Sequence, residues 1–152
     1  MEVVTKNTLP AFAERVLAQL SLRAEKQSAT VITLSGELGS GKTTFTQALA
    51  KAAGVAGVVQ SPTYVLMKSY PIVFKNFTRL IHIDAYRFNN PEEFLALKPE
   101  SFLSDKTALV VIEWPERIKG MLQKPDLSLT FSADAPFGSS AANAEERYIE
   151  GI

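Results

Sequence analysis

A glycine-rich segment between an apolar run and a helical pattern constrains this chain more than any other feature. Residues 36–43 are Gly-Glu-Leu-Gly-Ser-Gly-Lys-Thr, a complete phosphate-binding loop. The apolar run 30–34 precedes the loop, and a helical pattern follows it over residues 44–53. A strand, this loop and a helix in that order are typical of proteins that bind nucleotides. The segment therefore predicts a strand, loop and helix unit that holds a nucleotide.

The residue types in the loop suit the chemistry of a triphosphate. Glycines at positions 36, 39 and 41 let the backbone curl until successive N–H groups point inward, which makes an anion nest at a helix N-terminus. Lys42 is predicted to contact the β- and γ-phosphates, and Thr43 to be a ligand of a Mg²⁺ ion that bridges them. The alternative is a glycine-rich turn before a helix, which the strand and helix in register disfavour. The loop residues predicted to bind the nucleotide are Glu37, Leu38, Gly39, Ser40, Gly41, Lys42, Thr43 and Thr44.

Length, charge and cysteine content limit the classes of protein that remain. With 152 residues and 46% apolar content, the chain is long enough for one buried core and too short for two ordinary domains, so residues 1–152 are predicted to form one domain. Sixteen basic residues balance sixteen acidic ones, so any link to RNA is expected to run through a partner. The absence of cysteine excludes disulfides and thiolate metal sites. Without a signal peptide pattern or a membrane-spanning stretch, we expect a cytoplasmic protein.

Hydrophobic periodicity predicts an α/β fold. We expect a phosphate-loop NTPase-like three-layer sandwich, with a mixed, largely parallel central sheet and helices on both faces. The first helix is expected to begin near Pro10 with Thr8 as its cap, and a short helix to follow Asn90 through Leu97. The predicted strands are residues 30–34, 64–70, 79–83, 108–112, 127–131 and 148–152. The predicted connections are residues 55–60, which alternatively form a short strand, 71–76, and a mobile loop over 133–144.

Two of the predicted strands end in a carboxylate. Asp84 follows the apolar segment 80–83, and Glu113 follows the segment 109–112. In α/β folds, ligands bind at the carboxyl ends of the strands, and phosphoryl transfer to water needs an acid near the metal and a group that orients the nucleophile. Asp84 and Glu113 are therefore predicted to be functional, although the sequence does not say which of them binds the metal directly. The alternative for either one is a carboxylate that caps the following turn.

Four other residues have both a functional and a structural interpretation. Trp114, the only tryptophan, can pack on a nucleotide or in the core. Arg87 can reach a phosphate or an acid, or form a surface salt bridge. Thr63 can contact the metal or the γ-phosphate as a switch threonine does, or be a plain turn residue. His82 alternates with isoleucines, which favours a satisfied histidine in the sheet over a catalytic base.

Motifs that the chain lacks favour ATP as the nucleotide. The sequence contains no N-K-x-D or T-K-x-D element for guanine. Neither strand-end acid is followed by the D-x-x-G spacing of a regulatory GTPase. ATP is therefore expected in preference to GTP.

Four blocks in a fixed order closely resemble the bacterial TsaE family. They are the loop with its first helical residues at 36–45, Ser-Pro-Thr-Tyr at 61–64, His-Ile-Asp-Ala-Tyr-Arg at 82–87, and Glu-Trp-Pro-Glu at 113–116. The resemblance covers about residues 30–118, and Ala85 departs from the usual leucine. It implies the ATPase component of the machinery that makes N6-threonylcarbamoyladenosine at position 37 of tRNAs reading codons that start with A. It also implies a complex with the TsaD and TsaB proteins.

The resemblance assigns roles to individual residues. It implies that Lys42 binds phosphates, that Thr43 and Glu113 bind Mg²⁺, and that Asp84 is the acid needed for hydrolysis. It also implies that Trp114 lies near the nucleotide and that Thr63 belongs to a mobile switch-like segment. Lys42, Asp84 and Glu113 are thus the predicted catalytic residues.

Two alternatives to a partner-activated ATPase stay open at this point. A small-molecule kinase of this size would need an acceptor pocket and an arginine-bearing lid, and no arginine-rich lid segment is present. A nucleotide-gated binding module would use ATP only to order a partner surface.

Overall fold

The computed structural model describes residues 1–23, 26–62, 65–134 and 145–151. Within these residues lies a seven-stranded sheet, whose strands are β1 (Glu2–Val4), β2 (Thr30–Gly36), β3 (Met67–Phe74), β4 (Phe77–Asp84), β5 (Ala108–Glu113), β6 (Leu127–Ser132) and β7 (Arg147–Glu150). Their order across the sheet is β1-β7-β6-β2-β5-β4-β3. The four central strands, β6, β2, β5 and β4, are parallel to their neighbours in that group. The outer pairs are antiparallel.

Helices cover both faces of the sheet. The helices α1 (Leu9–Ser21) and α2 (Lys42–Ala52) pack on one face, in a core cluster that they share with β2 and β6. The other face is covered by the short helix α3 (Glu100–Leu103) and by two 3₁₀ helices, Pro91–Leu97 and Pro115–Ile118. Among the described residues, no helix combines the length and the apolar character needed to cross a membrane. The layered α/β fold with a mixed sheet is therefore confirmed.

Strand β5 shows why the centre of the sheet is apolar on both sides. All six of its residues are buried. Leu109 and Val111 point towards α1 and α2, whereas Ala108, Val110 and Ile112 belong to the core on the opposite face. Side chains alternate between faces along a strand, so a strand covered on both sides must be continuously apolar. The predicted central strand is confirmed, and it extends by one residue to Glu113.

Helix α1 begins at its predicted cap residue and buries an apolar stripe. Pro10 lies in the first turn, and the buried positions recur at helical spacing: Leu9, Phe12, Ala13, Val16, Leu17 and Leu20. Thr8 occupies the N-cap position, yet its side chain makes no capping hydrogen bond to the helix. Its hydroxyl instead accepts a hydrogen bond from the Thr5 N–H at 2.9 Å. Thr8 is therefore confirmed as the N-cap residue, although its side chain bonds to the preceding segment and not to the helix.

The hairpin between β3 and β4 is tighter than the sequence predicted. Residues 71–76 were expected to form a loop, but β3 continues to Phe74 and only two residues join the strands. Pro71 is tolerated because β3 is the last strand of the sheet, where a missing N–H removes no ladder bond towards a further neighbour. The register shifts between Pro71 and Phe74. Lys75 then turns the chain with a positive φ of 51°.

The remaining elements differ from prediction mainly at their ends. Residues 55–60 form a connection and no strand, and the Val59 carbonyl accepts a hydrogen bond from the Gln47 side chain on α2. The late strand pair is confirmed as β6 and β7, which are antiparallel. Strand β1 and helix α3 were not predicted. Most of the predicted loop 133–144, and the start of the predicted strand 64–70, lie outside the described residues.

We expect Gly36→Ala to destabilise the fold strongly. Gly36 ends β2 with φ +131°, and an added Cβ would lie 2.2 Å from the carbonyl oxygen of Phe131 on β6. Backbone strain of about 1–3 kcal/mol and overpacking of a similar size should together lower the free energy of unfolding by roughly 2–6 kcal/mol. Urea denaturation measures this loss.

The matched control is Gly57→Ala. Gly57 also has a positive φ, +92°, but no atom lies within 4 Å of its added Cβ. This variant should show the strain alone, about 1–3 kcal/mol. Equal losses in the two variants would contradict the steric argument for Gly36.

Candidate functional site

A cleft opens at the carboxyl ends of the parallel strands β2, β4 and β5. Its volume is about 290 Å³. The cleft lies where the loop after β2 meets the ends of β4 and β5, as expected for ligand sites in open α/β sheets. The residues that line it are Leu38, Gly39, Gly41, Lys42, Thr43, Thr44, Ser61, Asp84, Tyr86, Glu113 and Trp114.

The loop between β2 and α2 has the backbone geometry of an anion nest. Gly36, Gly39 and Gly41 all have positive φ, at 131°, 77° and 106°. Gly41 is the N-cap of α2, and its φ of 106° is a conformation that side-chain-bearing residues rarely adopt. The first turn of α2 contains no acidic residue. The positive end of the helix dipole therefore faces the cleft without a carboxylate of its own, which suits a bound phosphate.

Lys42 lies inside the loop. Its Nζ donates hydrogen bonds to the carbonyl oxygens of Gly36 and Glu37, each at 2.7 Å, and lies 3.4 Å from the Ser40 hydroxyl. Only 4% of the residue is exposed. Burial lowers the pKa of the Lys42 ammonium below its ordinary value, while the nearby carboxylates, Glu113 first, act in the opposite direction. The loop thus holds a buried positive charge, the Lys42 ammonium, against the cleft.

Trp114 covers the Lys42 ammonium. The Lys42 Nζ lies 4.1 Å from the centroid of the indole ring, which is the geometry of a cation–π contact. The backbone N–H of Trp114 donates to the carbonyl of Leu34, and the residue has a positive φ of 60°. The ring of Tyr86 lies 5.0 Å away, centroid to centroid. Trp114 is half-buried against the core, as its structural interpretation predicts, and it also lines the cleft.

Glu113 joins β5 to the first turn of α2. The Thr43 hydroxyl lies 3.0 Å from both carboxylate oxygens of Glu113 and donates to them. On the other side, the imidazole of His82 contacts Glu113 Oε1 through Nε2 at 2.7 Å. Glu113 is only 2% exposed, and its buried carboxylate is hydrogen-bonded by these two neighbours. Thr43 and Glu113 are brought together as the sequence predicted.

Asp84 lies beside Glu113, since the two residues are directly paired in the register of β4 and β5. Its Oδ1 accepts the Tyr86 N–H at 3.0 Å, so it caps the following turn, as the structural alternative proposed. Its Oδ2 accepts a hydrogen bond of 3.4 Å from the Ser61 hydroxyl. Asp84 also lines the cleft. The capping and the cleft positions are therefore compatible.

The donors at this site suit a hard cation such as Mg²⁺. Thr43, Asp84 and Glu113 present a hydroxyl and two carboxylates, and Mg²⁺ prefers oxygen ligands. Within the described ranges, no group of three His, Cys, Asp or Glu side chains forms a dedicated metal centre. A Mg²⁺ ion here would therefore take several of its ligands from phosphate and water, as is usual for this ion.

The cleft brings together most of the residues that the sequence singled out. Glu37 is exposed and its carbonyl accepts a hydrogen bond from Lys42, whereas Ser40 is a buried residue of the loop, and neither lines the cleft. Arg87 is exposed and is not in the cleft lining. Thr63 lies outside the described residues. Sequence reasoning missed Ser61 and Tyr86, whose only signal was their presence in the motif blocks.

Comparisons with known proteins found a matching family model, similar sequences and a similar solved structure. A family model described as "Threonylcarbamoyl adenosine biosynthesis protein TsaE" matches residues 5–139. The tRNA threonylcarbamoyladenosine biosynthesis protein TsaE of Haemophilus influenzae is 37% identical over 112 residues, which are 72% of this chain and 67% of that protein. The protein of the same name from Streptomyces coelicolor is 40% identical over 123 residues, 80% of each chain. The crystal structure of Bacillus subtilis YdiB superposes with a TM-score of 0.63 at 24% identity, over 96% of this chain and 78% of that one, which shows a shared fold.

Proposed function

The chain belongs to the TsaE family, and from this premise we propose that it is a Mg²⁺-dependent ATPase acting in tRNA threonylcarbamoyladenosine biosynthesis. In this proposal residues 1–152 form a single ATPase domain that works with TsaD and TsaB. The biosynthetic role comes from the family. The observation that carries the ATPase activity is the juxtaposition of Lys42 inside a glycine nest with the Thr43–Glu113 pair at one cleft.

The loop residues are proposed to hold the triphosphate. The N–H groups at the start of α2 face the phosphate oxygens, and the Lys42 ammonium moves from the loop carbonyls to the β- and γ-phosphates. Thr43 and Glu113 are the proposed holders of Mg²⁺, which when bound neutralises the charge on these phosphates. Once the triphosphate is bound, these groups are in place before the chemical step, so they stabilise the charge that develops without reorganising further.

Asp84 is proposed to orient the attacking water. Glu113 is engaged by Thr43 at the start of α2, which supports assigning the metal to Glu113. Asp84 contacts Ser61, which belongs to the same sequence block as Thr63, and both Asp84 and Ser61 line the cleft. A carboxylate that accepts a proton or hydrogen bond from water there can align it with the γ-phosphate. Thr63 is proposed to act as a switch residue that contacts the metal or the γ-phosphate.

The proposal places the chain in the cytoplasm as a partner-dependent enzyme. The balance of sixteen basic and sixteen acidic residues supports contact with tRNA through TsaD and TsaB and not directly. The lack of guanine-recognition motifs supports ATP as the nucleotide. Trp114, half-buried beside Lys42, is proposed to pack against the bound nucleotide.

The proposal is tested by phosphate release from ATP, and from GTP in parallel, with and without purified TsaD and TsaB. We expect slow phosphate release by the chain alone and a rise in its rate of about tenfold or more with both partners. Activators that supply a catalytic group in trans can raise the rate of phosphate-loop NTPases much further. ATP should be preferred to GTP. TsaD and TsaB without the chain are the control for contaminating activity.

Two results would contradict the proposal. Phosphate release in no condition, with ATP binding intact, would favour a nucleotide-gated binding module. Transfer of phosphate to a small metabolite would favour a kinase.

A further inference from the structure

His82 is a buried polar residue that the proposed reaction does not use. It lies on β4 two residues before Asp84, and its side chain is completely buried. It is not among the residues that line the cleft. Its Nε2 lies 2.7 Å from Glu113 Oε1, and this contact links the centre of the sheet to the carboxylate that faces Thr43.

The surroundings of the imidazole determine where its proton lies. Glu113 Oε1 is an acceptor, and two acceptors at 2.7 Å would repel, so Nε2 carries a proton and donates it. Nδ1 has no hydrogen-bond partner among the described residues. A proton on Nδ1 would therefore be a buried N–H without an acceptor, which is costly. The geometry selects the tautomer with its proton on Nε2.

This hydrogen bond fixes a side chain that is otherwise free to rotate. A glutamate has three side-chain torsions, and its terminal torsion is broad. The Glu113 carboxylate is hydrogen-bonded by the His82 imidazole on β4 and by the Thr43 hydroxyl at the start of α2. With both contacts present, its oxygens are directed at the start of α2, so the carboxylate needs little reordering when a ligand arrives.

We propose that His82 is a positioning residue that orients Glu113 for metal binding. The inference rests on the proposed function, because it assigns Glu113 to the Mg²⁺ of a nucleotide complex. Outer hydrogen-bond partners of metal ligands commonly change metal affinity when they are removed, although they do not touch the metal themselves. A purely structural histidine would affect the stability of the sheet and leave metal affinity unchanged.

The first test uses the fact that His82 is the only histidine of the chain. A long-range ¹H–¹⁵N spectrum of tag-free protein contains one imidazole and reports its tautomer directly. We expect the Nε2–H tautomer, with imidazole signals that shift in Glu113→Gln because the charged acceptor is lost. The Nδ1–H tautomer, or signals that Glu113→Gln leaves unchanged, would overturn the proposal.

The second test measures Mn²⁺ binding to the ADP complex by electron paramagnetic resonance, with Mn²⁺ as the probe in place of Mg²⁺. His82→Leu removes the donor. His82→Asn keeps a polar group that is too short to reach Glu113, whereas His82→Gln places an amide N–H near the position of Nε2. We expect His82→Leu and His82→Asn to weaken Mn²⁺ binding by about tenfold or more, and His82→Gln to restore most of it.

Thr33→Val is the matched control. It removes another cross-strand hydrogen bond of the same sheet, from the Thr33 hydroxyl to Ser128 at 2.9 Å, that does not involve Glu113. It should lower the melting temperature without changing Mn²⁺ affinity. If His82→Leu fails to fold, His82→Asn and the tautomer measurement on the natural chain decide the question.

The outcomes separate this inference from the function on which it rests. If the natural chain with ADP binds Mn²⁺ no more tightly than ADP alone, the proposed metal site is wrong. If the natural chain binds Mn²⁺ tightly and His82→Asn binds it equally well, only the positioning role of His82 is wrong.

Discussion

Replacing Lys42 with alanine should abolish ATP hydrolysis and strongly weaken ATP binding. The Lys42 ammonium is the buried positive charge at the floor of the cleft, held by the carbonyls of Gly36 and Glu37. Its removal deletes the proposed charge-assisted contact to the phosphates, which should be strongest as charge develops in the transition state. We expect hydrolysis to fall by about 10²–10³-fold or more and ATP affinity to fall at least about tenfold. Calorimetric titration and phosphate release measure the two effects.

Lys51→Ala is the control for this substitution. Lys51 lies in the last turn of the same helix α2, is exposed, and does not line the cleft. It should bind and hydrolyse ATP as the natural chain does. Circular dichroism distinguishes loss of the site from loss of the fold. A folded Lys42→Ala variant with normal ATP affinity and turnover would refute the assignment of the site.

Replacing Asp84 should stop hydrolysis while sparing ATP binding. Asp84→Asn is the sharper variant, because its amide oxygen can still accept the Tyr86 N–H and keep the turn capped. Loss of the carboxylate charge removes the group proposed to orient and polarise the water. We expect phosphate release to fall by about 10²–10⁴-fold, the usual contribution of a positioned acid or base, with ATP affinity near that of the natural chain. Asp84→Ala should show the same loss with some reduction in stability.

The control for Asp84 is Asp105→Asn. Asp105 also caps a turn, through the Thr107 N–H at 2.9 Å, and it pairs with Arg79 at 2.9 Å. It precedes β5 and so lies near the amino end of that strand, whereas the cleft lies at the carboxyl end. This variant should lose stability and keep its activity. If Asp84→Asn hydrolyses ATP normally, the Asp84 carboxylate is a turn cap and nothing more.

Local patterns predicted the central strands and the loop well because each depends on neighbouring residues. The apolar run before Glu113 favours burial on both faces, and the glycines of the loop permit the positive φ values that the loop adopts. The hairpin was predicted less well. Pro71 normally signals a loop, and only its place on the outer strand makes it compatible with pairing. Whether a strand is an outer one is decided by topology and not by its own sequence.

The contacts within the site depend on register between distant strands. Alternation placed His82 in the sheet, but the partner of its imidazole follows from the pairing of β4 with β5, where His82 lies opposite Val111 and Asp84 opposite Glu113. Residues 29 or more positions apart in the chain meet through that pairing, and no local pattern reports it. The position of Lys42 beneath Trp114 is equally non-local. The sequence thus indicated the participants of the site more completely than their contacts.

The two outer strands of the described sheet have a consequence for association between molecules. A long, regular outer strand offers unpaired backbone groups on which another chain can add a strand and begin to aggregate. Strand β1 has only three residues, and β3 is interrupted by Pro71 and by its register shift. Neither edge is a good template for such growth. The apolar centre of the sheet is therefore flanked on both sides by edges that offer little for strand addition.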